Sequence, residues 1–226
     1  MTSVQDKVAA SNGKVEVEQI FELPRDLRFV LEGVTPLLMS NPALSMDPQA
    51  SNRMTTTRKN IPTPEEEARR QVYRLDDGRL YVPATQVRGA IVGAAARFKE
   101  KGRLSSLQNA VNAALSFEET EFVLRDGDGG FVTAYAIDTR YAKVQGKGVM
   151  RSRPIIALPW LLECHFELDE ALIPARDLQP IIQAAGKRCG IGDFRPATKG
   201  WFGKFKLITM SVQDLARRAL GGDGGL

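Results

Sequence analysis

Residues 190–205 read GIGDFRPATKGWFGKF, with four glycines, at 190, 192, 200 and 203, spaced among cations and aromatics. Glycine takes positive φ and lets other backbone approach closely, so this stretch is a loop between two regular elements. Upstream of it, Leu178, Ile181, Ile182, Ala185 and Cys189 recur on one side of a helix. Downstream, Phe202–Ile208 reads as a strand. Ahead of that helix, Leu162, Cys164, Phe166 and Leu168 alternate with Glu163, His165 and Glu167, which predicts a strand over Trp160–Leu168 with one apolar face. The C-terminal half is therefore strand, helix, glycine-rich loop, strand.

Towards the N-terminus, residues 1–22 are polar and read as a mobile arm. Alternation of Leu27, Phe29 and Leu31 starts a strand that runs through Gly33 to the apolar Pro36–Met39. Residues 40–64 then carry four prolines and almost no periodicity, and loops of that length are functional or disordered. Glu65–Tyr73 reads as a short helix with Pro64 at its start. Asp77-Gly78 turns the chain into a strand at Arg79–Val82. Val87, Ile91, Ala94, Ala95 and Phe98 predict a firm helix with Thr85 as its N-cap. Gly89 and Gly93 lower its propensity, which suggests close approach of another backbone. Leu104, Leu107, Val111, Ala114 and Leu115 suggest a second helix.

Strands at Phe117–Leu124 and Phe131–Ile137 are joined through the turn at 126–130 into a hairpin. Residues 140–153 lack an apolar face and read as a loop or an edge, and a short helix is expected over Val212–Leu220. The order is strand, helix, two strands, strand, helix, strand. That order implies an α+β, modified ferredoxin-like (RRM-like) antiparallel sheet with helices on one face. Its other face is left free, as in many RNA-binding modules. The expected organisation is an arm at 1–22, a ferredoxin-like domain at 23–210 with an insertion at 40–66, and a short helix and tail at 211–226.

The formal charge of +4 is unevenly placed. Residues 140–153 hold five basic residues and no acid, and residues 187–206 hold six with one acid, so the two segments carry +10 against −6 on the rest. An anionic partner is expected at both, although two solvated basic loops would read the same way. The first segment offers Arg140, Lys143, Lys147, Arg151 and Arg153. The second offers Arg195, Lys199 and Lys204, with Phe194, Trp201 and Phe202 able to stack on bases and glycines suited to a phosphate-cradling loop.

At 43% hydrophobic and 26% charged residues, the composition is that of soluble globular protein. No apolar run reaches the ~18–20 residues of a membrane span, and no secretory signal opens the chain. Cys164 and Cys189 can form neither a disulfide framework nor a zinc CxxC pair, so a reducing cytoplasm is the expected location. The single histidine, His165, excludes two-imidazole mechanisms. Flanked on its face by Glu163 and Glu167, it reads as solvated or partner-facing. Asp126 and Asp128 begin like a calcium loop, but its twelfth position is Ile137. The run Glu65–Glu67 is explained by a helix dipole. No metal or other cofactor is expected, and an independent enzyme is disfavoured.

Taken in order, the strand ending GVTPL (33–37), the long insertion, LYVPATQVRGAIVGAAARF (80–98) and GIGDFRPATKGWFGKFKL (190–207) resemble the RAMP superfamily of CRISPR-associated proteins. The likeness is to the subunit that forms the repeated backbone of effector complexes. VMRSRPII (149–156) and GIGDFRP also resemble uncharacterised phage and prophage relatives. The resemblance implies a thumb at 40–64 that touches a neighbouring copy and the guide RNA. It places Arg53, Arg58 and Lys59 near phosphates, Met46 or Met54 between bases, and Arg88 towards the bound strand. It also implies copies of the protein in a helical or filamentous assembly, with other effector subunits as further partners. If target RNA were cut, the metal-dependent candidate would be Asp47, the only acid in 40–64. The expected ligand is single-stranded RNA. A phage single-stranded DNA-binding protein, a RAMP-type nuclease and a virion assembly protein are the alternatives.

Overall fold

A computed structural model describes residues 24–42, 62–99, 102, 104–117, 119–144 and 147–214, without the side chains of 142–144, 147 and 214. The first strand, β1 (Arg25–Gly33), buries Leu27, Phe29 and Leu31 and turns the intervening side chains to the opposite face. Two residues of β2 (Leu37–Leu38) follow, then α1 (Pro64–Gln71), β3 (Tyr81–Pro83), α2 (Ala84–Ala95) and α3 (Gln108–Ala114). Next come β4 (Leu115–Ser116), β5 (Glu121–Arg125), β6 (Ala136–Val144), β7 (Lys147–Ile156) and β8 (Leu161–Leu168). Helix α4 (Ala175–Arg188) and strand β9 (Phe205–Asp214) complete the described chain.

The main sheet runs β3-β5-β8-β1-β9, with β4 pairing the far end of β8, and every pairing in it is antiparallel. Strands β1, β5, β8 and β9 with helices α2 and α4 form the ferredoxin-like unit, in which the first strand lies between the third and the last. The core is built where the apolar face of this sheet meets the helices. Phe29 stacks on Phe166 at 5.6 Å, and Phe117 and Phe122 close on the same ring at 6.0 and 5.4 Å. Leu178, Ile181, Ile182 and Ala185 of α4 and Val87, Ile91, Ala94 and Ala95 of α2 are buried in the same core. Aromatic pairs of this kind add about 0.5–1.5 kcal/mol each beyond their buried area.

Several local expectations are corrected. Residues 140–144 and 147–153 are no loop but the edge that was the other expectation: they belong to β6 and β7, a ribbon that joins β2 in a second sheet ordered β2-β7-β6. Its side chains looked patternless because it is held by cross-strand backbone bonds and buries little apolar surface. The strand expected from Phe131 begins only at Ala136, with Phe131 making an isolated bridge to Arg125. Helix α2 starts at Ala84 after Pro83, without a side-chain cap, so Thr85 lies inside it. Val212 continues β9 instead of opening a helix, and residues 215–226 lie outside the described residues, as does the arm at 1–22. Helix α1 keeps its expected place, with a capping box between Thr63 and Glu66.

Candidate nucleic-acid interface

Between α4 and β9 the glycine-rich loop is stitched to three neighbours. The amide of Asp193 donates to the Leu38 carbonyl at 2.7 Å, and that of Gly203 donates to the Pro36 carbonyl at 2.9 Å. The Gly192 amide donates to Gln86 Oε1 on α2 at 3.0 Å. Glycine is required where the loop crosses itself: a Cβ on Gly200 would sit 1.6 Å from the Phe194 carbonyl oxygen, and one on Gly203 (φ +62°) 1.8 Å from that of Ile191.

This stitching uses up most of the amides. Ile191, Gly192, Asp193, Phe194, Thr198, Lys199, Gly200, Phe202, Gly203 and Lys204 all donate to partners within the chain. The loop is therefore no open cradle of N–H groups for a phosphate, as its glycines had suggested. What the loop offers an anion is its side chains.

The two basic segments, well separated in sequence, meet on this loop. Arg153 of β7 pairs with Asp193 at 2.8 Å and is mostly buried. Arg140 of β6 lies over the Phe202 ring at 4.6 Å and pairs with Asp138. Arg195 donates to the Gly192 carbonyl at 2.9 Å, and Arg151 pairs with Glu67 of α1 at 2.9 Å. Each guanidinium has five donors, so Arg140, Arg151 and Arg195 brace the surface with spare N–H groups, while Arg153 is buried beneath it. Lys199 is exposed, Lys204 is partly buried, and neither has a carboxylate partner among the described residues. Trp201 is 50% exposed and leans on the buried Phe202 at 4.6 Å, and Phe194 (φ +47°) also packs against Phe202, at 6.5 Å.

Arg88 does not join this surface. Its guanidinium holds the carbonyls of Leu115 (2.8 Å) and Asn112, tying α2 to the end of α3. Arg53, Arg58, Lys59, Asp47, Met46 and Met54 lie outside the described residues, as do the side chains of Lys143 and Lys147.

Beside the loop runs a groove of about 490 Å³, between the exposed side of α2 and the segment at Ser40 and Pro42. Gln86 crosses it, bonding the hydroxyl of Tyr73 at 3.2 Å while accepting from Gly192. Burial pushes the Tyr73 phenol above its ordinary range, so it stays a neutral donor, to the Ser40 carbonyl at 3.1 Å. Gly89 and Gly93 form part of the floor. A Cβ on Gly89 would meet nothing within 4 Å, and one on Gly93 would meet only the Cys189 sulfur, at 3.6 Å, so the backbone approach expected of them is absent. Gln86, Tyr73 and Asp193 were missed by sequence reasoning, because each matters through a partner distant in the chain.

The open face of the main sheet is a poor place for nucleic acid. It carries Asp26, Glu32, Glu121, Glu163 and Glu167 against Arg28, Arg125 and Lys206. His165 there is not left to its flanking glutamates: its ring nitrogens face the buried Asp26 carboxylate and Glu119, the latter at 3.4 Å.

No family model matches the sequence, and no curated protein matches it. The fold has a solved counterpart. It resembles one chain in the cryo-EM structure of the Type III-B Cmr-beta bound to cognate target RNA, with a TM-score of 0.53 at 15% identity over 85% of this chain. This chain spans 61% of that one's length. At such identity the likeness is one of fold. No described helix is long and apolar enough to cross a membrane.

Proposed function

We propose that the chain is an RNA-binding subunit of a CRISPR effector-like ribonucleoprotein of the RAMP type, present in repeated copies and gripping a single strand without reading its sequence. The observation that carries this is the convergence of both basic segments on the glycine-rich loop, beside a groove lined by α2 and by Ser40 and Pro42. The fold shared with a chain from an RNA-bound assembly supports it. Phosphates meet Lys199, Lys204, Arg195 and Arg151, and a base stacks on Trp201. Base identity is left to pairing with the bound strand.

The test is fluorescence anisotropy with RNA and DNA oligonucleotides of one length, on the parent and on Lys199→Ala/Trp201→Ala/Lys204→Ala. RNA is expected to win the competition. The triple variant is expected to bind every sequence at least ~10-fold more weakly, because one base–aromatic stack alone contributes about 1–3 kcal/mol. Preference for DNA would favour a phage single-stranded DNA-binding protein. Unchanged affinity in the variant would remove the site.

A further inference from the structure

The polar side chains that line the groove beside α2 differ in how much bonding capacity they keep. Tyr73 donates to the Ser40 carbonyl and accepts from Gln86, whose carbonyl oxygen takes the Gly192 amide. The Ser40 hydroxyl is tied to Gln71 at 3.2 Å, and Thr85 adds a neutral hydroxyl. Arg195 spends one donor on the Gly192 carbonyl and keeps others. Asp193 stands apart as the one carboxylate in this lining among the described residues.

A carboxylate has about four acceptor sites. One oxygen of Asp193 takes the Phe194 amide at 2.7 Å, and the other faces Arg153 at 2.8 Å. Acceptor capacity is left over, and the Asp193 side chain is 30% exposed while that of Arg153, beneath it, is 11% exposed. The buried guanidinium offsets the carboxylate's charge, so Asp193 can face a polyanion without strongly repelling it. What it offers outward is hydrogen-bond acceptance, which a phosphate cannot use and a hydroxyl can. Bare helix forms another part of the lining. Gly89 and Gly93 stand about one turn apart on α2. A Cβ on the first would meet nothing within 4 Å, and one on the second only the Cys189 sulfur, at 3.6 Å. Glycine at such positions lets the backbone of another molecule come close.

We propose that this groove takes a ribose of the bound strand, and that Asp193 accepts a hydrogen bond from its 2′-hydroxyl while Arg195 holds the adjoining phosphate. The proposal deepens the RNA-binding reading and rests on it. Base identity is still left to pairing. The sugar is read instead, because the 2′-hydroxyl is what tells RNA from DNA at a given site. Asp193 is thereby the residue that selects the kind of strand.

The experiment is fluorescence anisotropy on the full-length protein with oligomers of uridine, 2′-fluorouridine and 2′-deoxyuridine, all of one length. Fluorine keeps an RNA-like sugar pucker but has no proton to donate. The uridine oligomer is expected to bind at least ~10-fold more tightly than either of the others, the effect of one hydrogen bond to a charged acceptor. Asp193→Ala/Arg153→Met removes both charges together, so no unpaired ion is left buried. It is expected to bind the three oligomers alike, with urea titration checking that it remains folded. Gly89→Leu fills the groove from α2 and leaves the loop's own bonds in place, and it should lose the preference too. A parent that binds 2′-fluorouridine as tightly as uridine overturns the hydroxyl contact and leaves the RNA-binding reading standing. A preference that survives in either folded variant overturns the placement at Asp193. A parent that binds none of the oligomers removes the functional reading and this site with it.

Discussion

Gly89 sits in the middle of α2 with open space where a side chain would go. A helix-interior glycine costs about 0.8–1 kcal/mol relative to alanine, and no neighbour in the chain needs that space. Gly89→Ala is therefore expected to raise the unfolding free energy by about that amount in urea titrations. If the groove carries the strand, the same variant binds RNA more weakly while being more stable, a split that loss of folding cannot produce. The cysteines make a second residue-level prediction. Burial pushes the Cys164 thiol well above its ordinary value of 9.0 and raises that of Cys189 as well. An unfolded thiol ionises first, so this contribution to stability is complete below about pH 9 and falls as pH rises towards the folded value. Unfolding at pH 8 and pH 10 should show a smaller alkaline loss in Cys164→Ala than in the parent. These outcomes follow from surroundings that the residue types alone do not reveal. Gly89 looked like a packing glycine until its neighbourhood proved empty.

At the scale of elements, α1 braces the ribbon through one carboxylate. Glu67 accepts from the amide of the buried Ser152 at 3.0 Å and pairs with Arg151 at 2.9 Å, while Gln71 donates to the Ser152 carbonyl at 3.2 Å. Removing the carboxylate leaves a buried amide without its acceptor, at about 1–3 kcal/mol. Glu67→Ala should accelerate hydrogen exchange at Ser152 and its β7 neighbours without changing exchange in β1 or β8. The helix itself was legible, since Thr63, Pro64 and the acidic first turn are local capping chemistry. The ribbon was not, because its order comes from cross-strand backbone pairing and from Glu67, and neither leaves a period-2 apolar pattern. Strand β9 was read too short because a bulge leaves Ile208 unpaired between the rungs Leu31↔Leu207 and Val30↔Thr209, after which Met210 and Val212 resume the apolar face towards Asp214.

For the whole molecule, the strand order β5-β8-β1-β9 places β1 and β8 at the centre, where apolar alternation is clearest, and leaves one sheet face acidic. Arg28, Arg125 and Lys206 on that face are each paired with a carboxylate, and the cations of the two basic segments lie on the loop and ribbon. This segregation sets the salt dependence expected of binding: each phosphate that a protein neutralises on a single strand adds roughly 0.7 to the steepness of the log–log salt plot. Replacing Lys199 and Lys204 by alanine should flatten that plot in proportion, and charge reversal on the open face should not.

The sequence by itself determined the two central strands, the two core helices, the glycine-rich loop between α4 and β9, and the concentration of charge in two segments. Those follow from period and local backbone chemistry, which act over a few residues. Only the tertiary structure decided that both charged segments meet on one surface, through Arg153–Asp193 and Arg140 over Phe202. It also decided that most of the loop's amides are already bonded, and that the free sheet face carries more acids than bases. Each of these depends on which distant groups are brought within a few ångströms, and that proximity comes from packing the whole chain.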